Sequence, residues 1–186
     1  YGEIHEAFKT KEVCLLHGVT SSGKTEIYVR LIHEVLRLGR QVLYMLPEIA
    51  ITTQITERLA KLFGDKLLVY HSKFSDNERV EVWNRLLHTG EPMLVLGVRS
   101  SLFLPFKDLG LIIIDEEHEN TYKQQDPAPR YHARNAAIVL ASMYGAKTLL
   151  GTATPSVETW HNATTGKYGL VELKERYKEI QLPEII

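Results

Sequence analysis

Short apolar runs alternate along the chain with segments whose apolar positions recur every three to four residues. Val13-Cys14-Leu15-Leu16 is the first such run, and Glu26 to Ile32 after it has helical periodicity, which predicts a buried strand followed by a helix. Gly39 supplies a helix stop, and Gln41 to Leu46 makes a second buried strand closed by Pro47. A helix is predicted from about Ile51 to Phe63, then a short strand Leu67 to Tyr70. Ser75 is placed to cap a further helix carrying Val82, Trp83, Leu86 and Leu87 and ended by Gly90. Met93 to Gly97 reads as the next strand, and Ser100 to Phe106 as a short apolar turn. Leu111 to Asp115 is the most apolar run of all, which predicts a central strand covered on both faces. From Glu119 to Arg130 the pattern turns polar and irregular, and Asp126-Pro127-Ala128-Pro129 excludes regular structure there. So long a loop in a compact domain points to function. A helix from about His132 to Tyr144, a strand Lys147 to Leu150, a short helix starting near Ser156 and a strand Gly169 to Leu173 complete the series. Tyr1 to Thr10 has the pattern of the end of an amphipathic helix, so a piece of a longer protein is expected.

Strands alternating with helices predict an α/β fold, a mostly parallel sheet covered by helices on both faces, with its ligand at the carboxyl ends of the strands. At 186 residues the chain suits one core rather than two. No segment is continuously apolar for the span of a bilayer. A formal net charge of −1 requires any nucleic-acid contact to come from a local basic patch. Cys14 is the only cysteine, which excludes a disulfide framework or a cysteine-built zinc site and suits a reducing cytosol.

Candidate chemistry sharpens this picture. Gly18-Val19-Thr20-Ser21-Ser22-Gly23-Lys24-Thr25 fills every fixed position of the phosphate-binding loop, between a predicted strand and a predicted helix. Successive N–H groups of such a loop converge on an anion, and the helix they open adds the positive end of its dipole. Lys24 would meet the β- and γ-phosphates of a nucleotide, the Thr25 hydroxyl would ligate Mg²⁺, and Glu26 is expected with Gly18 to Thr25 among the nucleotide-binding residues. Asp115, at the end of the most apolar strand, can reach the same metal. Glu116, one residue on, can orient or deprotonate an attacking water. His118 can serve either as a structural hydrogen-bond partner or as a relay to the strand that runs into Gly151-Thr152-Ala153-Thr154-Pro155. A nucleic-acid-driven ATPase, a kinase or small GTPase, and a non-catalytic adaptor are the competing classes. The chain has no Asn-Lys-x-Asp guanine-reading motif, and adjacent Asp115 and Glu116 suit water as acceptor better than a kinase substrate.

Asp-Glu-Glu-His at 115 to 118 with Gly-Thr-Ala-Thr-Pro at 151 to 155 resembles the hydrolysis and coupling motifs of superfamily-two helicases. Leu46-Pro47-Glu48-Ile49, His71-Ser72, Asn77-Glu78-Arg79, Gly97 to Phe103, Tyr122-Lys123-Gln124-Gln125 and Arg130-Tyr131-His132-Ala133-Arg134 narrow the resemblance to the primosomal, replication-restart helicases. That resemblance implies a RecA-like first helicase lobe over residues 1–165 and a connection toward a second lobe over 166–186. It implies an ATP- and Mg²⁺-dependent, three-prime to five-prime DNA helicase, with His118, Thr152 and Thr154 coupling hydrolysis to movement. The isolated lobe is then expected to be nearly inactive. Single-stranded and forked DNA, primosome proteins and single-stranded DNA-binding protein are the implied partners, with no membrane and a bacterial, nucleoid-associated cytoplasmic setting. An adenine-contacting glutamine and a DNA-binding domain upstream, and zinc-binding cysteines and an arginine finger downstream, are implied beyond this chain. Two positions depart from the family. Ser22 stands where a glycine is usual, and Asp126 to Pro129 replaces the aromatic residue usual before Arg130. Residues 119–134 are either a DNA-sensing loop or a solvated loop with helix-capping arginines. In the first case Tyr122 and Tyr131 stack on bases, while Lys123, Arg130 and Arg134 pair with phosphates. Arg99 with Ser100 reads as a backbone-phosphate contact, or Arg99 pairs with Glu48 or Glu116.

Overall fold

The computed structural model describes residues 1–19 and 23–173, so Thr20, Ser21 and Ser22 of the loop and the tail 174–186 lie outside the described residues. In chain order the elements are α1 Gly2–Thr10, β1 Val13–Gly18, α2 Lys24–Arg37, β2 Gln41–Met45, α3 Thr53–Phe63, β3 Leu67–Tyr70 and α4 Asp76–His88. They continue with β4 Leu94–Gly97, β5 Leu109–Asp115, α5 Ala133–Tyr144, β6 Lys147–Thr152, α6 Val157–Thr164 and β7 Gly169–Leu173. Each predicted element is present, with ends moved by a few residues. Before α3, Glu48–Ala50 forms a separate 3-10 turn, and Thr52 caps the helix through Ile55 N. Ser75 caps α4 in a reciprocal box, its hydroxyl accepting from Glu78 N while the Glu78 carboxylate accepts from Ser75 N. That arrangement satisfies N–H groups the helix leaves open.

The seven strands lie in the order β3-β4-β2-β5-β6-β1-β7, and every pairing between them is parallel. β5 is the middle strand, as its apolar run predicts. Successive side chains alternate faces, so Ile112 and Ile114 join Ala133, Ala137 and Ala141 of α5 on one side. Leu111 and Ile113 join Tyr28 and Ile32 of α2 on the other. Register sets the functional edge: Leu16 and Asp115 both lie level with Gly151, and Met45 lies level with Ile114. The loop after β1 and the carboxylates after β5 therefore meet across the end of β6.

β7 pairs with β1 from Cys14↔Gly169 to Gly18↔Leu173 and forms the edge of the sheet.

Candidate nucleotide site and its neighbouring loop

The site starts from the way β1 turns into α2. Gly23, at φ 86°, takes the left-handed conformation that glycine adopts without steric cost, and it brings no capping side chain to the first N–H groups of α2. Lys24 is buried and folds back over the loop, donating from Nζ to the carbonyls of Gly18 (2.7 Å) and Val19 (3.1 Å). Thr25 is half-buried beside it. Glu26 points outward and forms an ion pair with Arg58 of α3, so the structure shows it bracing two helices.

Asp115 accepts from the hydroxyls of Tyr28 (2.9 Å) and Tyr44 (3.4 Å) and from Glu116 N (3.1 Å). Burial pushes its carboxyl above the usual range. Neighbouring Glu116 pushes the same way, against the Tyr28 hydrogen bond and the charge of Lys24. Both tyrosines are held neutral, their phenols raised by burial first and by Asp115 second. The sequence reading missed them. Tyr28 follows Lys24 by four residues, hence on the same helix face, and that spacing was the available signal. Gly151 makes the contact sterically possible, because a Cβ there would lie 1.7 Å from the Tyr28 hydroxyl oxygen.

Glu116 has φ 49°, a left-handed conformation that is strained for a residue with a side chain. The turn it makes sends three successive side chains different ways. Glu116 is part-exposed at the site, Glu117 is driven inward, and His118 Nδ1 meets Thr152 Oγ1 at 2.7 Å. The Thr152 hydroxyl also accepts from Thr154 N (3.0 Å). Thus the structure brings His118, Thr152 and Thr154 into one chain of contacts, with Glu116 Oε2 3.6 Å from the same histidine nitrogen.

Glu117, which the sequence reading passed over, is fully buried. Its carboxylate accepts from Arg134 Nη1 (2.8 Å), Ser156 N (2.7 Å), Ser156 Oγ (3.1 Å) and Thr159 Oγ1 (2.9 Å). A buried charge needs this degree of satisfaction. Arg134 is therefore not a phosphate contact as expected: it is 6% exposed and committed to Glu117 and to Ser156 Oγ at 2.6 Å.

Tyr122 is also corrected. At 1% exposure its ring cannot stack on a base, and its hydroxyl donates to the backbone carbonyls of Asp115 (2.6 Å) and Met45 (3.3 Å). Arg99 pairs with neither Glu48 nor Glu116 among the described residues; its Nη1 donates to the carbonyls of Thr121 (3.1 Å) and Lys123 (3.3 Å). Lys123 Nζ in turn donates to the Arg130 carbonyl, and Lys123 and His132 form an antiparallel bridge that closes the loop's base. Arg99, Ser100 and Lys123 line a groove of about 470 Å³ with Pro47, Glu48 and Asp126. Arg130 is exposed and Tyr131 half-buried at its flank. Of the residues expected to touch nucleic acid, Arg99, Ser100, Lys123, Arg130 and Tyr131 thus remain near one surface.

No group of three or more His, Cys, Asp or Glu side chains among the described residues is placed to hold a metal by itself. The donor set nevertheless fits a hard cation shared with a ligand. Asp115 is a carboxylate whose ionisation burial opposes, and no cationic side chain bonds to it among the described residues. A hydroxyl and a carboxylate leave the remaining positions of a Mg²⁺ to phosphate and water. No described helix is long and apolar enough to cross a membrane.

The DEAD/DEAH box helicase family matches residues 3–163. The Replication restart protein PriA of Bacillus subtilis (strain 168) is 45% identical over 184 residues, covering 98% of this chain and 23% of the relative. The protein of the same name from Rickettsia conorii is 49% identical over 171 residues, covering 92% and 26%. The chain thus spans about a quarter of the length of these curated relatives. RecG bound to a three-way DNA junction shares the fold at a TM-score of 0.63 and 19% identity, over 97% of this chain and 24% of that one.

Proposed function

The chain belongs to the DEAD/DEAH box helicase family, and on that premise we propose that it is the ATP-binding lobe of a three-prime to five-prime DNA helicase acting in replication restart. The observation that carries this reading is the meeting, at one sheet edge, of Lys24, the Asp115-Glu116 pair and the His118–Thr152 hydrogen bond. In this reading the loop from Gly18 through Val19, Thr20, Ser21, Ser22 and Gly23 cradles the phosphates with main-chain N–H groups. Lys24 exchanges its carbonyl partners for phosphate oxygens. Thr25 and Asp115 would hold Mg²⁺, which would supply positive charge to offset that on the transferring phosphoryl group. Glu116 takes the proton of the attacking water. His118 stands within reach of Glu116 and on Thr152, so a change at the carboxylate moves the segment Thr152 to Thr154.

The substrates that fit are ATP and single-stranded or forked DNA. Replication-restart proteins and single-stranded DNA-binding protein act through the longer protein, in the bacterial cytoplasm at the nucleoid, and zinc belongs to another part of it. The test is strand separation of forked duplexes by the full-length protein with Mg-ATP. A duplex entered along a three-prime single strand should be unwound. Unwinding confined to five-prime-tailed duplexes, or none with either, contradicts the proposal.

A further inference from the structure

We propose that Phe103 is a stacking platform for a base of single-stranded nucleic acid lying across the carboxyl edge of the sheet. The inference rests on the DNA reading above and adds to it a contact that is not electrostatic. Phe103 closes the 3-10 turn Arg99–Phe103 that follows β4. Ser101, Leu102, Leu104 and Phe106 around it are all buried, whereas Phe103 is 60% exposed. The backbone is therefore anchored on both sides, and one aromatic ring of an otherwise buried apolar run is turned to solvent. Its neighbour is Tyr131, edge-on at 5.2 Å between centroids and 81° between planes. That geometry fixes the ring's orientation through an aromatic pair of preferred form.

A cation stands beside the pair: Arg99 begins the same turn and faces the Tyr131 hydroxyl, and the exposed Arg130 precedes Tyr131 in the chain. An exposed aromatic beside cations is the combination that grips single strands without reading sequence, bases stacking while phosphates pair. A solitary exposed phenylalanine would carry little meaning; this one is pinned, paired with Tyr131, and closes the turn whose first residue, Arg99, lines the groove with Lys123. Glu48 and Asp126 line that groove too, so its attraction for a phosphate backbone is partly cancelled and stacking supplies a larger share of the hold.

The measurement is fluorescence anisotropy of the full-length protein, without nucleotide, on a labelled oligothymidine and on an abasic strand of equal length. Phe103→Ala should weaken oligothymidine binding about tenfold and leave the abasic strand bound as by the wild type, while Phe103→Trp restores oligothymidine binding. Equal loss on both strands, or no loss on oligothymidine, overturns the platform while leaving the DNA reading in place. A wild-type protein that binds neither strand overturns the DNA reading, and the platform with it.

Discussion

Asp115 is asked to carry a charge where burial opposes one, and its folded-state carboxyl titrates above the ordinary range. A carboxyl raised on folding contributes stability that is fully present below its unfolded pKa and lost as pH rises through its folded value. At neutral pH the ionised group therefore costs stability that function requires. Asp115→Asn should unfold at a higher temperature than the wild type near pH 7.5, with the gap closing as pH is lowered, and it should lose ATP hydrolysis. A lower melting temperature at neutral pH would contradict this. Glu116 stores strain of a different kind. A left-handed residue with a side chain costs about 1–2 kcal/mol, partly offset in glycine by the freedom it loses on folding. Glu116→Gly should be more stable than Glu116→Ala by about 1 kcal/mol in denaturant unfolding, because both remove the carboxylate and only one removes the strain. An alanine variant as stable as the glycine variant would mean that the turn is unstrained.

At the scale of elements, Glu117 ties the end of β5 to α5 through Arg134 and to α6 through Ser156 and Thr159. It clasps the base of the 119–132 loop and orders the segment after Thr154. Truncating one partner of a buried ion pair strands the other charge, at a cost of about 3–5 kcal/mol. Glu117→Ala should lose that much in chemical unfolding; a loss below about 1 kcal/mol would show that Arg134 finds another partner. The sequence made these elements legible where a period or a cap imposed them. The apolar run of β5, the Ser75 box and the glycine loop each state their structure locally. Residues 119–134 have no period to read. The burial of Tyr122 depends on carbonyls of Asp115 and Met45, and that of Arg134 on Glu117, partners brought near only by the fold. The same holds for Tyr28, whose place under Asp115 needs the missing side chain of Gly151 from a third element. The strand β7 was legible as a strand, whereas its pairing with β1 was not, since register is a property of two segments.

At the scale of the whole molecule, the carboxyl edge of the sheet brings together Lys24, Asp115 and Glu116, to which the proposed function gives phosphate, metal and water, and carries the groove lined by Arg99 and Lys123. In two-lobed helicases a partner lobe adds an arginine that meets the charge on the transferring phosphoryl group, a contribution of about 10³–10⁵ in rate. The chain corresponds to about a quarter of its curated relatives. Residues 1–186 alone are accordingly expected to hydrolyse ATP negligibly even with single-stranded DNA, and the longer protein to hydrolyse it readily. The central claim is that Glu116 activates water at a phosphate site built by Lys24 and Asp115. It is tested most directly by steady-state phosphate release from Mg-ATP by the full-length protein, with single-stranded DNA, comparing wild type with Glu116→Gln after each has been shown to bind ATP. The account predicts that the variant retains ATP binding while phosphate release falls by about 10²-fold or more. Turnover by Glu116→Gln close to that of the wild type would contradict it.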